Sequence, residues 1–386
     1  KLPECEKKNI VWGSVCWDEA KKSCDIYDVM LPKTYSELKE YASRHGVEIE
    51  SAVSGILDKK DDTSFSFIII LAIMRSKKLI GVNSYYQFVN FEIICEADAD
   101  GKCVLTPNST VKFHKHESPF TTKKAHEISN LDTEINPSLI IAGCGALGSK
   151  IAMHLVRSGI TNILFCDPDY LSDHNLCRHA LLDKSVYKNK ASEMRSATNL
   201  IYYHEMLKAD ASCRGIKTIL GDAEIMSKRT PDYLLDFTAS KVAHNQLVNI
   251  KNRPTAISAA IFDNGKFGLL MSEGNNGEVR LDDVMAAFFA QYKTDPIVSS
   301  YLMREKELSR EPSSLLNVGL GCNSETFILA DDIISLYAAS MSVTIKDIFA
   351  GNHANGGCWM YISDKFGSLK IQKIEVPQFY CYDVDT

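Results

Sequence analysis

One hexapeptide limits the fold of this 386-residue chain more than any other feature: Gly143-Cys144-Gly145-Ala146-Leu147-Gly148. It follows an apolar run at 138–142 and precedes a helical period from about 147 to 158, so strand, turn and helix succeed one another directly. Each glycine has a physical use in that setting. Gly143 permits the tight turn, Gly145 lets an anion approach the backbone, and Gly148 allows close packing of helix on strand. The free amides and dipole at the start of the helix then attract anionic oxygen.

The sequence beyond the turn keeps alternating short apolar runs with helical periods, the signature of a parallel sheet wrapped by helices. Strands are expected at 162–167, near 217–220, at 233–237, 255–261 and 268–271, with a long helix from Lys190 to about 207. The fold class is therefore α/β, a doubly wound, mostly parallel, Rossmann-like sheet. Residues 275–318 are less regular and read as an excursion from the sheet; a helix is expected at 326–341 and antiparallel strands at 359–362 and 370–376. Ahead of the turn, residues 1–130 read as a smaller accessory α/β unit, with a helix at 35–45 and strands at 65–74 and 88–95. The polar segment 121–137 reads as a linker or entry helix between it and a domain covering 131–386.

Bulk properties exclude several classes. A net charge of −6 without a Lys/Arg cluster argues against a nucleic-acid surface. The most apolar run, 67–74, is far shorter than the roughly 20 residues needed to span a bilayer. Twelve cysteines are scattered without a Cys-x-x-Cys pair, which predicts reduced thiols in a cytoplasmic protein and no structural zinc.

The glycine turn alone does not name its ligand, since dehydrogenases, methyltransferases and adenylating enzymes share it. The second strand ends in Asp167, where a carboxylate reaches ribose hydroxyls. The sequence then adds Asp169, Asn175, Arg178 and Lys190. An amide, a guanidinium and an ammonium in that order suit phosphoryl oxygens better than a nicotinamide, so ATP is expected rather than NAD.

At these residues the sequence resembles the ThiF/MoeB and ubiquitin-activating superfamily, whose fingerprint is the glycine turn, then D-x-D, then N-x-x-R and a following Lys. The resemblance spans about 65–339 and is strongest over 140–190. Arg75-Ser76-Lys77-Lys78-Leu79-Ile80-Gly81, the stretch from Gly148 to Leu155 and His174-Asn175-Leu176-Cys177-Arg178-His179 are closest to bacterial members linked to antiphage defence. In those members an activating domain is often fused behind a ubiquitin-conjugating module. The resemblance implies that Asp167 holds the ribose and that Asn175, Arg178 and Lys190 contact the phosphates of ATP. It also implies a homodimer, a protein C-terminal carboxylate as substrate, a ubiquitin-conjugating partner and Mg²⁺.

Two departures touch the expected site. Where the wider family reads D-x-T-D-N, this chain has Asp236-Phe237-Thr238-Ala239-Ser240, which leaves two alternatives: Asp236 as the candidate magnesium ligand, or an ion held mainly by ATP and water. The arginine-rich segment before the first strand is also missing, with Lys123 and Lys124 in its place, and an ammonium is not equivalent to a bidentate guanidinium. Thioester chemistry needs an accessible thiolate, and Cys322 stands just before the helix expected at Thr326, where a helix dipole favours that form. Cys322 is the candidate nucleophile, with Cys358 behind it; His174 and His179 read as structural or orienting.

The resulting expectation is ATP-dependent adenylation of a ubiquitin-like or target protein's C-terminus, followed by transfer to Cys322 within a 275–325 insertion and then to a conjugating enzyme, in bacterial antiviral defence. The rivals are an NAD-type oxidoreductase on the same fold and a catalytically weakened scaffold, the latter favoured by Ala239.

Overall fold

The computed structural model describes residues 12–58, 65–98, 103–132, 135–206, 209–250, 252–275, 277–308, 315–317, 325–327, 329–364 and 367–376. The chain divides into two compact units, one ending at Pro119 and one beginning at Phe120. The segment 121–137 therefore belongs with the second unit.

The first unit is a mixed sheet with helices on one face. Its elements are β1 (Trp12–Trp17), α1 (Tyr35–Arg44), α2 (Glu50–Leu57), β2 (Phe65–Met74), β3 (Tyr86–Ala97), β4 (Cys103–Val104) and β5 (Val111–His114). β1 runs parallel to β2, and β2, β3 and β5 are antiparallel. Phe67, Ile69, Leu71 and Ile73 alternate onto the buried face and pack with Leu38, Val53 and Phe91. Arg75 is buried just past β2, where its guanidinium donates to the Cys24 and Ile26 carbonyls at 2.6 and 2.9 Å and to Gln87 Oε1 at 2.8 Å.

The second unit runs α3 (Thr122–Ile128), β6 (Leu139–Ala142), α4 (Ala146–Arg157), β7 (Ile163–Cys166), α5 (Lys190–Ile201), β8 (Asp210–Ser212), α6 (Ile216–Leu220), α7 (Ala223–Arg229) and β9 (Tyr233–Asp236). It continues with α8 (Lys241–Asn249), β10 (Thr255–Phe262), β11 (Phe267–Ser272), α9 (Leu281–Ala290), α10 (Pro296–Leu308), the hairpin β12 (Leu315–Asn317) and β13 (Glu325–Phe327), α11 (Asp331–Phe349), β14 (Gly357–Ser363) and β15 (Leu369–Ile374). Eight strands form one sheet in the order β15-β14-β11-β10-β9-β6-β7-β8. The five from β10 to β8 are parallel, and β11, β14 and β15 extend the sheet antiparallel.

β6 is buried on both faces, as a central parallel strand must be. Ile141 faces a layer that includes Ile151, Leu155, Phe165, Tyr337 and Met341, while Ile140 faces Leu164, Leu234, Leu247 and Phe288. β6 pairs with β7 on one side and β9 on the other, so the chain reverses its direction of winding there. That topological switch point is where open α/β sheets bind ligands.

Three elements differ from the sequence reading. The stretch 217–220 is not a strand: α6 lies there, capped by glycines at both ends, and its apolar Ile216 and Ile219 are buried one helical turn apart. The sheet position goes instead to the short, half-exposed β8. The helix starting at Lys190 ends at Ile201, short of 207. The helix expected at Thr326 starts at Asp331, with Asp331 and Asp332 complementing the dipole in its first turn, and Thr326 pairs with Leu316 across the β12–β13 hairpin.

Candidate active site

The glycine turn closes the carboxyl end of β6. Gly143 has φ +86°, and a Cβ there would lie 2.8 Å from the Phe237 carbonyl carbon and the Thr238 nitrogen. A Cβ on Gly148 would collide with the Gly143 oxygen, so both positions require glycine. At Gly145, by contrast, a Cβ would meet nothing within 4 Å. Gly145 is also the N-cap of α4, and that helix start has neither a side-chain cap nor an acidic residue in its first turn. Open space therefore adjoins helix amides that have no intrahelical acceptor, which fits an anionic phosphate.

Asp167 follows β7 and is buried. Its Oδ2 accepts from the Cys144 amide at 2.6 Å and its Oδ1 from the Asp169 amide at 2.8 Å. Burial pushes the Asp167 carboxyl above its ordinary range, against the pull of the Asp169 amide, the Lys190 ammonium and the Cys144 amide. Because the Cys144 amide is committed to Asp167, the Gly145 amide is the first in the turn that can serve a ligand.

Lys190 opens α5; its amide donates to the Asp169 carbonyl at 2.9 Å, and its Nζ lies 3.4 Å from Asp169 Oδ2. Asn189 caps the helix by accepting from the Ser192 amide at 3.0 Å. Its Nδ2 donates to the Asp167 and Asp169 carbonyls at 2.7 and 3.1 Å, tying α5 to the strand-end loop. Asn189 went unremarked in the sequence, although Asn directly before a helix is a capping signal.

Between Asp169 and Lys190, Asn175 builds a turn rather than standing apart from it. Its Oδ1 accepts from the Ser172 amide at 3.1 Å, and its carbonyl accepts from the Arg178 and His179 amides at 3.1 and 2.9 Å. Arg178 is thereby fixed at the backbone. His179 is buried, accepts from the Leu181 amide at Nδ1 (3.0 Å) and donates from Nε2 to the Cys144 carbonyl at 2.6 Å. Burial pushes its pKa down to about 4, with the Lys190 and Lys150 charges acting in the same direction.

Asp236 ends β9 beside Ala142 in the register and is buried. Its Oδ1 accepts from the Thr238 amide at 3.0 Å and from the Thr238 hydroxyl at 2.7 Å, and burial raises its pKa. Ala239 is exposed with φ +51°, the left-handed region. No cluster of three or more His, Cys, Asp or Glu capable of holding a metal occurs among the described residues. The fit to Mg²⁺ is thus a single carboxylate beside the turn, suited to an ion held mainly by phosphate oxygens and water.

Cys322 lies outside the described residues. With the following helix beginning at Asp331 and β13 intervening, the helix-start rationale for its thiolate falls away. Cys358 is buried on β14 and its thiol is pushed up to about 12, so it is protonated at neutral pH. Cys144 is likewise held well above its ordinary value by burial. Lys123 pairs loosely with Glu127 of its own helix at 4.0 Å.

A switch-point glycine turn, an uncapped helix start and a strand-end carboxylate stand together at the carboxyl edge of this α/β domain, an arrangement suited to an anionic ligand. Residues 133–270 match the model of the ThiF family, and the chain carries a ThiF family domain. A 103-residue stretch is 35% identical to the ATP-dependent ubiquitin transferase-like protein Cap2 of Enterobacter hormaechei subsp. hoffmannii (strain UCI 50), covering 26% of this chain and 16% of that protein. Among solved structures, E. coli MccB with ATP aligns at a TM-score of 0.41 and 16% identity over 63% of this chain and 64% of MccB. PaaA aligns at 0.42 and 15% identity over 62% of this chain and 64% of its own. The chain spans less than two thirds of each of these relatives. Among the described residues no helix is long and apolar enough to cross a membrane.

Proposed function

We propose that the second unit binds MgATP at the carboxyl edge of β6 and adenylates the C-terminal carboxylate of a ubiquitin-like or target protein. One observation carries this reading: at the switch point, the free helix start at Gly145, the buried Asp167 carboxylate and the Lys190 ammonium converge on one turn. The ThiF family match over the same stretch supports it, as does the ATP-dependent ubiquitin transferase-like name of the Cap2 relative.

In this reaction ATP supplies an electrophilic α-phosphorus; the substrate carboxylate forms a new P–O bond, the bond to the β-phosphate breaks, and pyrophosphate leaves. The chain's own residues contribute position and charge. Asp167 accepts from a ribose hydroxyl while holding the Cys144 amide. The Gly145 amide and the first amides of α4 receive phosphate oxygen. Lys190 exchanges its contact with exposed Asp169 for a phosphate oxygen, and Arg178 adds a second cation from the turn that Asn175 organises. Asp236 takes the role of magnesium ligand. A carboxylate nucleophile needs no general base, which agrees with a neutral His179.

The later steps are part of the same proposal. A thiolate, with Cys322 as candidate, attacks the acyl carbon and AMP departs, leaving a thioester for a conjugating enzyme. The assembly is a cytoplasmic homodimer acting in bacterial antiviral defence.

ATP–pyrophosphate exchange tests the first step. Exchange that depends on an added protein C-terminus is the expected result; no exchange with any partner, together with no ATP binding, overturns it. For the second step, a dithiothreitol-sensitive adduct is expected in the unaltered chain and absent from Cys322→Ala. Its persistence there would move the nucleophile elsewhere.

A further inference from the structure

The glycine turn and the Arg178 segment are far apart in sequence, yet one buried ring joins them. His179 accepts from the Leu181 amide at Nδ1 and contacts the Cys144 carbonyl at 2.6 Å through Nε2. An amide can only donate, so Nδ1 carries the lone pair and Nε2 the proton. The ring is therefore a one-way bridge, accepting from its own loop and donating to the turn.

The consequence lies in the geometry of a trans peptide, whose C=O and N–H point in opposite directions across the plane. Holding the Cys144 carbonyl fixes the Cys144–Gly145 plane and directs the Gly145 amide away from His179. The plane before it is fixed as well, because the Cys144 amide is held by Asp167 Oδ2 at 2.6 Å. Both sides of Cys144 are thus clamped by buried side chains, and the first uncommitted amide is aimed rather than left to choose. Gly145 imposes no side-chain barrier of its own, so without the bridge this peptide is free to turn over.

We propose that His179 is a positioning residue that sets the direction of the Gly145 amide toward the nucleotide phosphates and keeps the glycine turn in register with Arg178. This rests on the nucleotide-binding reading above. His179 itself does not touch the ligand; it acts through the Cys144 carbonyl.

The two ring nitrogens can be mimicked separately. A Gln side chain places its amide donor near the Nε2 position and can restore the bond to Cys144, whereas Asn reaches only the Nδ1 position and restores the bond to Leu181. MgATP affinity of the full chain is measured by calorimetry for the unaltered protein and for His179→Gln, His179→Asn and His179→Ala, with circular dichroism and thermal melting alongside. Gln is expected to stay within about threefold of the unaltered protein, and Asn and Ala to weaken binding about tenfold, as the loss of one buried hydrogen bond predicts. Asn binding as well as Gln, or folded Ala binding like the unaltered protein, overturns the proposal while leaving the nucleotide site intact. An unaltered protein that binds no MgATP overturns the nucleotide reading and this inference with it. Should Ala fail to fold, the Gln and Asn pair decides. Nitrogen-15 spectra of the histidine rings give a check that needs no variant: the Nε2–H tautomer is expected, and Nδ1–H overturns the bridge.

Discussion

Two buried aspartates flank β6 at the ends of its neighbouring strands, and they are wired differently. Asp167, after β7, reaches across to the Cys144 amide in the glycine turn as well as to the nearby Asp169 amide. Asp236, at the end of β9, is satisfied within its own loop by the amide and hydroxyl of Thr238. Burial raises both carboxyls above their ordinary range. One carboxylate is thus part of the scaffold of the turn, whereas the other is held locally and can change partners without disturbing it.

The largest effect should follow from breaking the first. Asp167→Ala leaves two amides without acceptors, so denaturant unfolding should show a loss of about 3 kcal/mol, and MgATP binding should fall by about 100-fold. Equal stability in this variant would mean that the turn stands without Asp167.

Acid should strike the same side of the site. His179, bound to the far face of Cys144, has a folded pKa of about 4, below the value of 6.5 for an unburied ring. The unfolded chain therefore takes up the proton first. This group costs nothing above pH 6.5, destabilises increasingly as the pH falls, and reaches its full effect below about pH 4, on the order of 3 kcal/mol. Stability measured across that window should fall in the unaltered protein and fall less in His179→Gln. Identical pH profiles would detach His179 from the effect.

A smaller effect is expected at the second carboxylate. Asp236→Ala should change stability less than Asp167→Ala but raise the magnesium concentration needed for pyrophosphate exchange about tenfold. A loss of stability matching that of Asp167→Ala would erase the contrast between them. The smallest effect concerns the loop after β9, where exposed Ala239 holds φ +51°. Ala239→Gly should stabilise the protein by about 0.5–1 kcal/mol in the same unfolding assay, since a left-handed backbone penalises a Cβ.

Much of this arrangement is legible in the residues. The apolar run of β6, the three glycines and the period of α4 specify strand, turn and helix by local rules, and the structure places α4 at Ala146–Arg157. The order Asp167, Asn175, Arg178, Lys190 could be read because spacing along a chain is preserved in folding. The 217–220 stretch misled because four or five apolar-rich residues carry too little period to separate a strand from one helical turn. The start of α11 at Asp331 was obscured because Phe327 continues the apolar pattern, while the chain uses Glu325–Phe327 for a hairpin strand instead.

The residues themselves specify the local grammar of the site: a glycine turn between strand and helix and an acid at the end of the next strand. Packing in three dimensions sets which groups answer one another across it. Asp167 meets Cys144, His179 meets the other side of the same residue, and Asn189 ties α5 to the Asp167 loop. The physical reason is that helix and turn signals act within a few residues, whereas a buried hydrogen bond is chosen by whichever donors and acceptors the packed sheet brings together away from water.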